Sequence, residues 1–224
     1  MPPKFKFTKD EIVSAAFGIV REGGEDSLTA REVAKRLGSS TSPIFTVFSD
    51  IKELREEVVK KAKAMFDGYM AKALDFTPAY KMRGIQWVRF AKDEPELFRF
   101  LFMRDIGKDK SFDSSIEEIP FGKDDDIKII MRDYNATPEQ AETMFRQMWI
   151  YTYGMCTLTA CGVCSFSDEE IALGLGEAFR GAVHVILSNE ENKSKLFPEK
   201  KDGPLGTEIR KRHPDLQKNG FKEE

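Results

Sequence analysis

The chain has 224 residues, of which 41% are hydrophobic and 33% charged, a balance typical of a soluble globular protein. Lysine and arginine number 35 against 38 acidic residues, and the formal net charge of −3 argues against a strongly basic protein. No apolar run reaches the roughly 18 residues that a membrane helix needs. The N-terminal sequence MPPKFKFTKDE lacks the apolar core of a secretion signal, so we expect a cytoplasmic protein with no membrane partner.

The cysteine and histidine content limits the chemistry that this chain can perform. Three cysteines (Cys156, Cys161 and Cys164) lie within nine positions, which does not fit a disulfide framework. The two histidines, His184 and His213, are far apart in sequence, so histidine-based catalysis would have to use one of them alone. Because a glycine-rich phosphate loop and a metal-ligand constellation are also missing, we expect no enzyme, no cofactor and no metal site.

Recurrent helix start signals predict an all-α chain. Four segments, beginning at Thr8, Thr29, Thr137 and Ser167, fit the capping box, in which a hydroxyl accepts an N–H bond from the first turn and an acid or amide three residues later reaches back. Together with the spacing of apolar residues, these signals predict helices over 8–22, 29–36, 41–47, 50–74, 77–93, 95–104, 124–134, 137–162 and 167–188, and a loop over 105–122.

Residues 29–48, TAREVAKRLGSSTSPIFTVF, contain two short predicted helices joined by a turn. Gly38 follows the first helix and readily takes a positive φ, and we expect Ser40 or Ser42 to cap the second helix. Two short helices joined by a three- to four-residue turn with glycine form a helix-turn-helix, whose second helix enters the major groove of DNA. An ordinary helical hairpin would show the same periodicity.

The segments LTAREVAKRLG, SSTSPIFTVF and SDIKEL resemble the tetracycline-repressor-like (TetR) family of transcription regulators, and the match covers about residues 8–60. Trp149-x-x-x-Tyr153-Gly154 is also similar to a Trp…His-Gly signature in some C-terminal domains of that family, with tyrosine in place of histidine. The resemblance implies a ligand-responsive, homodimeric repressor that binds a double-stranded DNA operator. It implies a helix-turn-helix DNA-binding domain over 1–52 and an effector-binding and dimerisation domain of helices over 53–188. Residues 189–224 are rich in Lys, Glu, Gly and Pro, and this composition predicts a polar tail that is partly disordered or attached to the surface.

Three positions depart from the family pattern. Phe45 stands where the family usually has tyrosine, and Val47 where it often has histidine. Ile51 occupies the usual place of the linking lysine, and Lys52 follows it. Phe45 and Ile51 can still pack, so the expected fold is unaffected, but backbone contacts to DNA are lost. These losses keep open the alternative of a helical adaptor that no longer binds DNA specifically.

The expected recognition helix is nearly uncharged, and its exposed polar groups are hydroxyls. Serine and threonine can hydrogen-bond several bases, and a threonine methyl can touch the methyl group of thymine. Thr29 caps the preceding helix, whose free N–H groups and Arg31 would face phosphates. We therefore expect DNA contacts from Thr29, Arg31, Ser40, Thr41, Ser42, Thr46 and Lys52. Lys4 and Lys6 would form an N-terminal arm. Plain helix capping is the alternative for each hydroxyl.

Aromatic residues and methionines crowd the middle of the chain, where a helical bundle can hold an apolar pocket. We expect a small apolar or aromatic effector to contact Phe66, Trp87, Phe90, Phe102, Trp149 and Tyr153, with plain core packing as the alternative. The predicted helices 137–162 and 167–188 are rich in small residues, and the resemblance implies that they pair with their twins in a dimer. Packing within one chain is the alternative.

Cys161-x-x-Cys164 carries two cysteines three positions apart, which would share a face of a helix. Such a pair could ligate a soft metal or form a redox couple. Because free cysteines are among the most buried residue types, a structural role in the core is the favoured interpretation.

Overall fold

The computed structural model of the chain describes residues 6–103, 114, 116 and 122–187. Within these ranges the chain forms α-helices and no strand, which confirms the predicted all-α class. The helices are α1 Lys9–Gly23, α2 Ala30–Arg36, α3 Ser42–Val47, α4 Ile51–Ala71, α5 Ala79–Asp93, α6 Pro95–Phe102, α7 Lys123–Tyr134, α8 Pro138–Ala160 and α9 Asp168–Leu187. Short 3-10 turns follow α1, at Glu25–Ser27, and α4, at Lys72–Asp75.

The predicted capping boxes fix three of the helix starts. Thr8, Thr137 and Ser167 each accept a backbone N–H bond from the third residue of their helix, and the acid or amide there reaches back to the N–H of the cap. Thr29 accepts the N–H of Glu32, but the return bond does not form. The N–H of Thr29 already donates to the carbonyl of Ser27 at 3.0 Å, so Glu32 has no donor to accept from.

Helix α3 starts differently from the sequence prediction. Neither Ser40 nor Ser42 caps it; Thr41 is the N-cap residue, and its side chain makes no capping bond. Pro43, the second residue of the helix, has no N–H to offer. The N–H of Ile44 donates to the backbone carbonyl of Thr41 at 3.0 Å, so the main chain alone closes the first turn.

Helix α8 ends two residues earlier than predicted, at Ala160. Gly162 takes φ +68°, and the N–H of Val163 donates to the carbonyl of Leu158 at 3.0 Å, which stops the helix in a left-handed turn. Cys161 and Cys164 therefore lie in this turn and are exposed, so the prediction that they share a helix face is wrong.

Three of the sequence predictions fall partly or wholly outside the described residues. These are the polar tail 189–224, Lys4, and most of the loop expected over 105–122. Within that loop Ser114 and Ile116 are described and both are helical, so the loop prediction is wrong at these two residues.

Helix α5 is the centre of the larger group of helices. It contacts α4, α6, α7, α8 and α9, because its apolar residues surround the helix instead of forming one stripe. Trp87, Val88 and Phe90 are each at most 2% exposed. On the N-terminal side, α1 packs against α2, α4 and α6 through a face that includes the fully buried Ile12, Ala16 and Val20.

The N-terminal helices are joined directly to the larger group. The guanidinium of Arg21, near the end of α1, pairs with the buried carboxylate of Glu94, between α5 and α6, with Nε 2.6 Å from Oε2. Arg55 of α4 pairs with Glu25 and lies 5.1 Å above the ring of Phe100 in α6. The helices are thus in contact across residue 52, and the division into domains there stays a prediction.

Candidate nucleic-acid interface and buried slot

Helix α3 is anchored on one side and open on the other. Ile44 and Phe48 lie four residues apart, share a face of the helix, and are 0% and 1% exposed. Ser42, Phe45 and Thr46 are exposed on the remaining surface. The anchoring residues hold the short helix at the surface, where its polar side chains are accessible to a large partner.

The hydroxyl groups predicted to contact DNA all lie at or near this surface. Ser40, Ser42 and Thr46 are exposed, and Thr41 is partly exposed. The hydroxyl of Thr46 donates to the carbonyl of Ser42 at 3.0 Å, which leaves its oxygen free to accept a bond. Thr29 is exposed too, although its side chain already accepts the N–H of Glu32.

Two basic side chains that flank α3 in sequence have no carboxylate partner in the described part of the chain. Arg31 and Lys52 are exposed, and neither is in an ion pair within the part of the chain that the structure describes. Their neighbours in sequence are paired, at Lys9–Glu57, Lys35–Glu32, Arg36–Glu22 and Arg55–Glu25. An exposed cation without a carboxylate partner is available to a phosphate at little cost.

The segment before α1 lies beside the α2–α3 turn. The ammonium group of Lys6 donates to the hydroxyl of Ser39 at 3.1 Å and lies 5.4 Å from the ring centroid of Phe7. This contact places Lys6 next to the turn that leads into α3.

Phe45 does not pack, contrary to the expectation from the sequence, and is 48% exposed. A helix of six residues has room for one buried face, and Ile44 and Phe48 occupy it. Ile51, another departure from the family pattern, does pack against the core. The exposed ring of Phe45 therefore adds an apolar group to the otherwise hydroxyl-bearing surface of α3.

Three residues predicted to bind an effector belong to a tightly packed aromatic group. The ring of Phe66 meets those of Phe90 and Phe102 edge to face, with centroids 5.3 and 5.0 Å apart. All three side chains are at most 3% exposed. Tyr153 stacks on Trp149 at 4.8 Å, and its hydroxyl donates to the carbonyl of Phe102 at 2.8 Å, which ties α8 to the end of α6.

A narrow slot, which we call the α5 slot, lies between α5, α7, α8 and α9. The space in it that the centre of a water molecule can occupy is about 30 Å³, enough for about two waters. Its apolar lining consists of Trp87, Gly84, Phe145, Met148, Trp149, Leu175 and Phe179. Of the residues predicted to bind an effector, Trp87 and Trp149 border the slot, and the other four do not.

Polar and charged side chains form another side of the α5 slot: Tyr80, Lys81, Arg83, Asp126 and Thr152. Arg83 and Asp126 form an ion pair, with side chains 11% and 3% exposed. Burial raises the pKa of the Asp126 carboxyl to about 6, against the opposing effect of the Arg83 charge. No sequence signal separates Asp126 from its exposed neighbours Asp124 and Asp125, so this buried pair was missed.

Large apolar side chains remain uncovered on α8, on α9 and in the turn after α8. They are Ile150, Tyr151, Leu158, Val163 and Leu173. Gly154 and Gly181 open onto empty space, whereas a Cβ at Gly174 would lie 3.0 Å from the Tyr151 hydroxyl. The small residues thus serve two purposes, since Gly174 permits close packing within the chain and the other two glycines leave room outside it.

None of the described helices combines the length and the apolar character needed to cross a bilayer. Among the same residues, no three side chains of histidine, cysteine, aspartate or glutamate come together as metal ligands would.

Comparison with known proteins identifies the fold. No protein-family model and no curated protein matches the sequence. Among solved structures, a TetR-like transcriptional regulator from Rhodococcus sp. RHA1 matches with a TM-score of 0.58, 14% identity, and coverage of 78% of this chain and 95% of its own. Another transcriptional regulator from that organism matches with a TM-score of 0.55 and 16% identity, and the match covers 80% of this chain and 97% of its own. A transcriptional regulator of the TerR/AcrR family from Aquifex aeolicus VF5 matches with a TM-score of 0.51 and 15% identity, and the match covers 80% of this chain and 99% of its own. The chain has the TetR-like fold, as the sequence resemblance implied.

Proposed function

We propose that this chain is a DNA-binding transcription regulator that acts as a homodimeric repressor and responds to a small ligand. The observation that carries the proposal is the exposed, hydroxyl-bearing surface of α3, held at the surface of a TetR-like fold by Ile44 and Phe48. A surface of this kind has the size and polarity to enter the major groove. The proposed location is the cytoplasm, where operator DNA is found.

In the proposed complex α3 supplies the contacts to bases and its flanks supply those to phosphates. Thr41, Ser42 and Thr46 offer hydroxyls to base edges, and each good contact contributes about 1–3 kcal/mol of discrimination. Arg31 and Lys52, which lack carboxylate partners in the described part of the chain, would bind the DNA backbone. Ser40 and Thr29 would add hydroxyl contacts to phosphate oxygens.

The proposed dimer forms through the uncovered surface of α8 and α9. One α3 offers few base contacts, so a second copy is needed for tight binding, and it would meet a half-site about 34–36 Å away. Exposed apolar side chains such as Ile150, Leu158 and Leu173, together with the open space at Gly154 and Gly181, support pairing of these helices with a second copy.

A ligand in the α5 slot would act on DNA binding through α5. This helix lines the slot at Trp87 and ends next to Glu94, which pairs with Arg21 of α1. A ligand that separates α5 from α8 or α9 would therefore change the position of the N-terminal helices. Regulation requires only that the ligand bind one of the two arrangements more tightly than the other.

The proposal is tested by a gel-shift assay with DNA from upstream of the gene that encodes the chain. We expect specific binding by the wild type, and at least a tenfold loss in the double variant Thr41→Ala/Thr46→Ala, because two base contacts are removed. Thr143→Ala is the matched control, since its hydroxyl also donates to the carbonyl four residues earlier, at 2.9 Å, but on α8. Thermal melts of all three proteins check that folding is unaffected.

A second candidate function is a helical adaptor, favoured by the exposed ring of Phe45 where the family usually carries a phosphate-binding hydroxyl. Binding of the wild type at only the non-specific level, insensitive to the two threonine substitutions, would overturn the regulator and support the adaptor.

A further inference from the structure

The guanidinium of Arg83 belongs to a largely buried ion pair with Asp126. It carries five N–H groups, and within the described residues its one acceptor is the Asp126 carboxylate, reached through Nε. The side chain is only 11% exposed. The nearby Asp125 carboxylate is 74% exposed and makes no bond to Arg83. Arg83 also lines the α5 slot, where a ligand with acceptor oxygens would bind its remaining donors.

The charges that line the α5 slot leave an excess of one positive charge. Arg83 and Asp126 offset each other, and Lys81 adds a second cation on the same helix as Arg83. A ligand with one negative charge would bring the site to neutrality. A guanidinium binds a carboxylate or a phosphate through two parallel hydrogen bonds. Of these two anions, the carboxylate carries the single negative charge that the site needs.

Two hydroxyl groups in the slot also lack a recorded hydrogen-bond partner within the part of the chain that the structure describes. Tyr80 is 9% exposed and Thr152 is 4% exposed. Both can donate to an oxygen of the ligand, so the polar side of the slot is rich in donors, and its one carboxylate, Asp126, is already engaged by Arg83.

The apolar side of the slot is largely aromatic. The indoles of Trp87 and Trp149 lie 5.9 Å apart, and Met148 and Phe179 complete this side. The slot is smaller than one ring, and Leu175 packs against Gly84 within it, with Cδ1 3.2 Å from where a Cβ on Gly84 would be. Entry of a single ring therefore requires side chains such as Leu175 to move.

We propose that the α5 slot binds a small aromatic carboxylate, with its ring against Trp87 and Trp149 and its carboxylate on Arg83 and Lys81. This inference rests on the proposed function, since it names the chemical class of the effector. It goes further by assigning the recognition of charge to Arg83, which the sequence did not single out.

Three probes of the same size test the charge requirement: benzoate, the neutral benzamide and the cationic benzylamine. Tryptophan fluorescence is a direct readout, because the chain has two tryptophans and both border the slot. Isothermal titration calorimetry on the full chain, without DNA, gives the affinities. We expect benzoate to bind at least tenfold more tightly than benzamide, and benzylamine to bind more weakly than either.

Two variants locate the charge. Arg83→Met/Asp126→Asn removes both members of the buried pair, so that no buried charge is left alone, and we expect benzoate to lose at least tenfold in affinity while benzamide changes less than threefold. Lys81→Gln, at an exposed side chain that does not threaten folding, should weaken benzoate several-fold. Lys63→Gln is the control, since this lysine pairs with Asp67 on α4 away from the slot.

Equal binding of benzoate and benzamide would overturn the inference, and so would benzoate affinity that survives both variants. Tightest binding of benzylamine would overturn it as well, and would assign Asp126 as the counter-ion of a cationic ligand. Because these measurements contain no DNA, failure of the regulator in the gel-shift assay and failure of the carboxylate site are separate results.

Discussion

Among single residues, Asp126 is the carboxyl whose ionisation the fold changes most clearly. It is 2% exposed, and burial raises its pKa to about 6 from an ordinary value of 3.8, although Arg83 opposes the shift. Other charged or titratable groups near it are the exposed Asp125, which raises the pKa further, and the phenol of Tyr80. The folded protein therefore holds a proton on Asp126 more tightly than the unfolded chain does.

This difference makes stability depend on pH. The stabilisation from the protonated Asp126 is fully present below pH about 4 and is lost as pH rises to about 6, a change of at most about 3 kcal/mol. We expect the free energy of unfolding of the wild type, relative to Asp126→Asn, to fall over this interval and then level off. Urea denaturation at a series of pH values measures it. A relative stability that rises with pH would show instead that Arg83 dominates and holds the carboxylate ionised.

Sequence patterns cannot show which polar residue of a helix is buried or which aromatic residue is exposed. Asp124, Asp125 and Asp126 read as one acidic first turn of a helix, and the sequence does not say which of them turns inward toward Arg83. Phe45 shows the opposite case, since an aromatic residue between Ile44 and Phe48 suggests packing, yet the helix has one buried face and Phe45 lies off it. Both outcomes depend on the position of neighbouring helices, which local patterns do not contain.

For whole elements, the sequence predicts most helix starts and fewer of the ends. A capping box is a local arrangement of two side chains, so Thr8, Thr137 and Ser167 are recognisable without any tertiary contact. The predicted end of α4 lies three residues beyond the observed one, and that of α8 two residues beyond it. Apolar periodicity continues past Ala160, but the left-handed turn at Gly162 stops the helix first.

The contact between α1 and the α5–α6 junction carries a prediction about the coupling of elements. Glu94 is 6% exposed, and Arg21→Ala would leave its carboxylate buried without a counter-charge, which should cost about 1–3 kcal/mol. Arg21→Ala/Glu94→Gln should recover part of this loss. Chemical denaturation of the two variants and the wild type measures the difference.

The control for this pair is Lys63→Ala, which breaks an exposed ion pair with Asp67 on the same helix and should cost less than about 0.5 kcal/mol. A cost for Arg21→Ala no larger than that of the control would contradict a structural role of the α1 contact.

For the whole molecule, the sequence predicted the all-α class and the family of folds, but it did not predict the α5 slot. Trp87 and Trp149 were expected to bind an effector together with Phe66, Phe90, Phe102 and Tyr153. In the structure the two tryptophans border the slot, whereas Phe66, Phe90 and Phe102 fill the core around it. Aromatic residues at helical spacing satisfy both roles equally, and only the three-dimensional packing separates them. Whether any of the six binds a ligand stays a prediction.

The proposed dimer gives a prediction with a closely matched control. Leu173 on α9 and Leu74 after α4 are both 56% exposed. We expect Leu173→Glu to be monomeric, because it puts a charge into the proposed apolar interface, and Leu74→Glu to remain dimeric. Light scattering coupled to size-exclusion chromatography measures the mass of each protein.

Two results would contradict this assignment of the interface. One is a wild type that is monomeric at tens of micromolar, and the other is an equal response of the two leucine variants. Loss of operator binding in the monomeric variant, with retained folding, would link the interface to the proposed function.

The absence of charged side chains on the exposed surface of α3 has a consequence for how selectivity depends on ionic strength. In the proposed interface, Arg31 and Lys52 displace counterions from the DNA backbone, and this contribution weakens with added salt equally for every sequence. Hydroxyl and methyl contacts displace no counterions. The preference for an operator over other DNA should therefore stay nearly constant when the salt content of the cell changes, even as total occupancy falls.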